Sequence, residues 1–159
     1  MKINKLIPII VILAVFLGPS TVSATPTTNQ TIATSFDVQN YIGIDTNTSS
    51  AYFGNTTPGT VSYVYTQLND YSNINIDIYG IMYSDFTGPQ TVSSNYVQGT
   101  VQGGTSGNFL KNSPQKLFGN WTATGSTQSK TYNLSLVTPL GALPGHYNST
   151  LYTYAQTAS

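Results

Sequence analysis

From about residue 36 onward the chain alternates apolar and polar positions in short runs, each closed by turn residues. The clearest run is 73–79, NINIDIY, which sets Ile74, Ile76 and Ile78 on one side and Asn75 and Asp77 on the other. A period of two predicts a strand with one buried face. Residues 131–137, TYNLSLV, turn Tyr132, Leu134 and Leu136 inward by the same rule. Residues 146–155, HYNSTLYTYA, turn Tyr147 and Leu151 inward and Asn148 and Thr150 outward. Further strands are predicted near 36–44, 50–53, 60–68, 91–98 and 116–122, all rich in Tyr, Thr, Val or Ile. Thr57-Pro58-Gly59, Thr87-Gly88-Pro89, Gly103-Gly104-Thr105-Ser106-Gly107 and Leu143-Pro144-Gly145 mark the turns. Seven or eight short strands with this punctuation predict an all-β chain, a single Ig-like β-sandwich, with a small closed barrel as the alternative.

The first residues follow another pattern. Lys2 and Lys5 precede the apolar stretch 6–17, LIPIIVILAVFL; Gly18-Pro19 breaks it, and Val22-Ser23-Ala24 places small residues where a signal peptidase reads. This layout predicts a secretory signal over residues 1–24, cleaved after Ala24. An uncleaved anchor is the alternative, but a spanning helix needs about 20 apolar residues and this run is shorter. The expected product is secreted, extracellular or at the cell surface, and free of the membrane. It comprises an extended tail over 25–35 and one domain over 36–159.

Across Ile32, Thr34, Phe36, Val38, Asn40, Ile42 and Ile44 the alternation outlasts an ordinary strand of five or six residues. It is read either as one long first strand of the chain's own sandwich or as a segment that leaves the domain and completes a neighbour's sheet. In such donor-strand complementation backbone hydrogen bonds give affinity and alternate side chains fill pockets. Ile32, Phe36 and Val38 are the candidate donor residues.

Charge narrows the range of partners. Asp, Glu, Lys and Arg make up 6% of the chain, with no Arg and no Glu, against the usual ~25%. Beyond residue 24, Lys111, Lys116 and Lys130 stand against five aspartates. Nucleic acid binding needs Lys and Arg to neutralise phosphates, and an anionic membrane needs a basic face; neither is provided. There is no Cys, so neither a disulfide nor a thiolate metal site can form.

Candidate chemistry is sparse, and neither a catalytic role nor a cofactor is expected. His146 is the single histidine and no G-x-S-x-G elbow accompanies it. The five aspartates are scattered, whereas glycosidase chemistry needs two carboxylates at a set separation. Asn69, Asp70, Asn73, Asn75 and Asp77 form an oxygen-rich run that could hold Ca²⁺, though without the spacing of an EF-hand loop. Tyr152, Tyr154 and Trp121 are a candidate aromatic platform for a carbohydrate or another protein.

Sugar is the strongest signal downstream of the leader. N-x-S/T sequons occur at Asn29, Asn47, Asn55, Asn120, Asn133 and Asn148, making N-linked glycans expected partners. Asn133 and Asn148 fall on the outward phase of their strands, as an attached sugar requires.

The stretch Tyr52-Phe53-Gly54-Asn55-Thr56-Thr57-Pro58-Gly59-Thr60, followed by Leu68-Asn69-Asp70 and the alternating isoleucines, resembles an arrangement in Ig-like domains of archaeal and bacterial surface proteins. The ending Pro144-Gly145-His146-Tyr147-Asn148-Ser149-Thr150-Leu151 resembles their closing P-G-x-Y-x-x-x-L strand. The cysteine-free, exported, Thr/Asn/Tyr-rich whole is similar to archaeal thread and bundling-pilus subunits. That resemblance implies a glycosylated β-sandwich pilin that polymerises with other copies of itself through donor strands. A secreted carbohydrate- or protein-binding adhesion module is the alternative function.

Overall fold

The computed structural model describes residues 35–159; the candidate signal, its cleavage point, Asn29 and Ile32 lie outside them. The described chain is all-β, with eight strands: β1 (Ile44–Thr46), β2 (Val61–Asp70), β3 (Ile76–Met82), β4 (Val97–Val101), β5 (Ser106–Asn108), β6 (Gln115–Trp121), β7 (Gln128–Val137) and β8 (Leu151–Thr157). They form two antiparallel sheets, β1-β2-β7-β4-β5 and β6-β3-β8, packed as a sandwich.

The predicted inward positions build its core. Ile76, Ile78, Tyr132 and Leu134 are buried, together with Leu68, Val101 and Leu117, and Leu136 packs against them. Phe109 fills the space between sheets where both backbones carry glycine, Gly80 on β3 and Gly99 on β4. A Cβ at either glycine would overlap its ring and approach the Leu117 methyls to 3.2 and 3.4 Å. Above the other end of the core Lys130, on the inward phase of β7, lies over the rings of Phe118 and Trp121, 4.5 and 5.2 Å from their centroids. Such a cation–aromatic contact lets a charged residue occupy an inward position.

Turn chemistry sets the entry to β2. Thr60 N–H donates to the Thr57 carbonyl at 3.0 Å, and Gly59 has φ 82°. Pro at the first and Gly at the second central position are what a type II turn requires.

Several strand expectations change, and β3 begins at Ile76 rather than at Asn73. Residues 36–43 are not a strand; β1 begins at Ile44. Their main chain is held by only a few bonds, among them Tyr41 N–H to Asn73 Oδ1 at 2.6 Å and Tyr71 N–H to the Gly43 carbonyl at 2.8 Å. Residues 50–53 are loop, because Phe53 reaches the core from an irregular segment. Within 91–98 a 3₁₀ turn, Ser94–Tyr96, capped by Ser93, delays β4 until Val97. The last strand likewise starts at Leu151, leaving His146 exposed in the preceding loop.

Candidate functional site

In an Ig-type sandwich one sheet runs A-B-E-D and the other C-F-G. Here β1-β2-β7-β4 takes the A-B-E-D order and β3-β8 takes C-F, with β5 and β6 added at the far edges. Among the described residues no strand stands in the place of G, beside β8. The outer edge of β8 is therefore a seven-residue row of main-chain groups without a strand partner. Exposed edges are normally blunted by charge, proline, bulges or brevity. β8 reads LYTYAQT, with no charge and no proline, and pairs with β3 without a register break.

The facing edge of the other sheet is also incomplete. β1 covers β2 only from Leu68 to Asp70, so among the described residues the stretch from Val61 to Thr66 has no strand partner on that side. Between the two edges the sandwich opens into a cleft of about 940 Å³. Val64, Leu134 and Leu136 line it from one sheet, Met82 and Leu151 from the other, and Phe53 from the 47–60 loop. Residues 142–150, including His146, also line it. Leu151 and Thr153 of β8 are part of its wall, so the cleft lies beside the unpaired edge.

The candidate donor residues that fall in the described part, Phe36 and Val38, are exposed. Phe36 is 88% and Val38 70% exposed, although both are apolar and in the expected register.

The aromatic platform expected from Tyr152, Tyr154 and Trp121 does not form. Trp121 faces the core at 3% exposure, edge-on to Phe118. Tyr154 stacks on Tyr79, and Tyr152 meets Tyr83 edge-on, covering Ile81 on the outer face of the small sheet. The strand period decides this: β6 turns Trp121 inward, whereas β8 turns both tyrosines outward.

The oxygen-rich run is also divided. Asp77 accepts from Lys116 Nζ at 2.6 Å and from Asn120 N–H at 2.8 Å, while Asp70 is buried and accepts from Ser72 N–H. Asn69, Asn73 and Asn75 are bonded to Ser129, the Gln39 carbonyl and Asn120 respectively. Among the described residues no three acidic, His or Cys side chains gather as metal ligands. The Lys116 hydrogen bond, then the Asn120 N–H, hold Asp77 below the usual carboxylate pKa, and Asp77 in turn raises Lys116.

The sequons differ in accessibility. Asn55 and Asn148 lie exposed in loops, and Asn120 is exposed near the end of β6 in a left-handed conformation, φ 52°. Asn47 is exposed, but its amide is bonded to Gln67 and Asn69. Asn133 is half-buried in central strand β7, and its carboxamide oxygen is buried without a partner. Its outward phase was readable from the sequence; its crowding between two neighbouring strands was not. A scan against protein-family models and a search of curated proteins each return no match.

Proposed function

We propose that this chain is a structural subunit of an extracellular filament or cell-envelope assembly, polymerising by donor-strand complementation through its amino-terminal segment. The observation that carries the reading is the unpartnered β8 edge beside an open cleft of mixed lining, with core side chains such as Val64, Leu134 and Leu151 in its wall, at the position where an Ig-type sandwich has its last strand. The segment that fits it is supplied by the same chain: an alternating run with Ile32, Phe36 and Val38 in one register. Phe36 and Val38 are exposed at home. Insertion into a second copy would bury these side chains and pair the β8 edge in one step, so each subunit repairs the next. Export, with cleavage after Ala24, would free that segment, and glycans at exposed sequons would keep a nearly uncharged surface soluble.

Deletion of residues 25–36 in the exported protein tests the reading. Electron microscopy of sheared cell-surface material should show filaments for the full chain and dispersed subunits for the deletion. Filaments of normal length without the segment would overturn it.

A further inference from the structure

The outer face of the five-stranded sheet is built differently from that of its three-stranded partner. Apart from the paired Val61 and Val137 at one end and two tyrosines, its outward positions carry amides and hydroxyls, and Asp45 at one corner is the single charged side chain among them. These polar groups are tied to one another across strands. Asn69 Nδ2 donates to Asn47 Oδ1 at 2.8 Å, Ser129 Oγ donates to Asn69 Oδ1 at 2.6 Å, and Thr100 and Ser106 hydroxyls meet at 2.7 Å. The face is thus preorganised, with donors and acceptors held in place before any ligand arrives.

Two aromatic rings stand out of this polar field. Tyr63 and Tyr65, successive outward residues of β2, are parallel with centroids 6.3 Å apart and are 55% and 65% exposed. Among the described residues neither phenol hydroxyl has a hydrogen-bond partner. Beside Tyr65 lies a shallow hollow of about 390 Å³, edged by Asn47, Gln67 and Thr131. Directly across the strand pair from Tyr65 is Asn133, the residue with the unpartnered carboxamide oxygen.

We infer that this face is a binding site for a neutral polysaccharide. A pyranose ring has an apolar C–H face that packs on an aromatic ring and a rim of hydroxyls that each need both a donor and an acceptor. Tyrosine faces supply the first and carboxamides the second. The near absence of charge selects among glycans, since a sulfated or sialylated chain would find no Lys or Arg to compensate its desolvation. Two rings about one sugar residue apart suit a linear chain lying along β2. The site is on the opposite side of that sheet from the cleft and does not depend on the filament reading. It also predicts that Asn133 carries no glycan, because a sugar attached there would occupy the place of the ligand.

The test is binding of the full-length exported protein to an array of neutral gluco-, manno- and galacto-oligosaccharides beside sialylated and sulfated ones. At least one neutral series should be bound. Tyr65→Ala should weaken that binding at least tenfold and Tyr65→Phe should retain it. Tyr152→Ala, on the other sheet, should leave it unchanged. Because Tyr65 is exposed, the variants should keep the parent's thermal midpoint, which checks folding. No binding to any neutral series, binding confined to charged glycans, or binding indifferent to Tyr65→Ala would each overturn the proposal.

Discussion

Replacing Phe36 by alanine separates the stability of the subunit from that of the polymer. In the single chain the ring is 88% exposed, so its removal uncovers no core. Exposed substitutions of this kind stay within about 0.5 kcal/mol, and the isolated subunit should melt within about 2 °C of the parent. In a filament whose cleft takes up residue 36, the same ring passes from water to a place against the core side chains in the cleft wall. Full burial of a phenylalanine contributes about 1.5–3 kcal/mol. Truncating a packed ring costs about 3–5 kcal/mol when the void cannot collapse. The cleft is open on one side, so the top of this combined range is not reached, and each subunit contact should weaken by about 2–4 kcal/mol. That is about a 30- to 1,000-fold rise in the dissociation constant of one contact. The assay is a pair of guanidinium titrations, one following monomer fluorescence and the other following filament loss by sedimentation. A monomer midpoint that falls strongly would mean the ring is buried at home. A filament midpoint that does not move would remove Phe36 from the interface and with it the register argued here.

Within the core, Phe109→Ala should lower stability by about 3–5 kcal/mol, and Gly80→Ala should cost about 1–3 kcal/mol by overpacking. In a thermal or urea double-mutant cycle the second cost should shrink in a Phe109→Leu background, and equal costs in both backgrounds would contradict the contact. Asp77 has a lowered pKa through Lys116 and then Asn120, and Asp85 chiefly through the Ser94 N–H. Their contribution is therefore present above the unfolded carboxylate value near ~4 and lost as pH falls through the lower folded values. Asp77→Asn should flatten that acid limb in pH-dependent denaturation; an unchanged slope would refute it. Burial pushes the Tyr132 phenol up to about 12, although its bond to Thr153 acts in the opposite direction. Its stabilising effect is complete below pH ~10 and disappears as pH rises through the folded value, so ultraviolet titration should show one late tyrosine that Tyr132→Phe removes.

Period two along β3 and β7 was enough to name their core positions, because successive strand side chains must point to opposite faces whatever the partner strand is. Turn residues located the breaks for a similar reason: at Thr57–Thr60 only a glycine takes the required φ without cost. Short segments were less legible. Residues 36–43 and 50–53 alternate or carry β-formers, but whether a short segment is a strand depends on an edge being available to pair with it. The same limit applied to the aromatic residues. Composition disclosed twelve tyrosines and one tryptophan, while the assignment of Trp121 to the core and Tyr63 and Tyr65 to an open face needed the register of β6 and β2.

The sequence by itself determined the fold class and the inward face of its longest strands, since both are local consequences of side-chain alternation. It also determined the poverty of charge and the reservoir of sequons. Tertiary structure alone decided which edge is left unpaired, because strand order is a property of the sheet and is not written in any one strand. It likewise brought Tyr65 opposite Asn133, a juxtaposition of residues 68 positions apart that exists only once β2 lies antiparallel to β7.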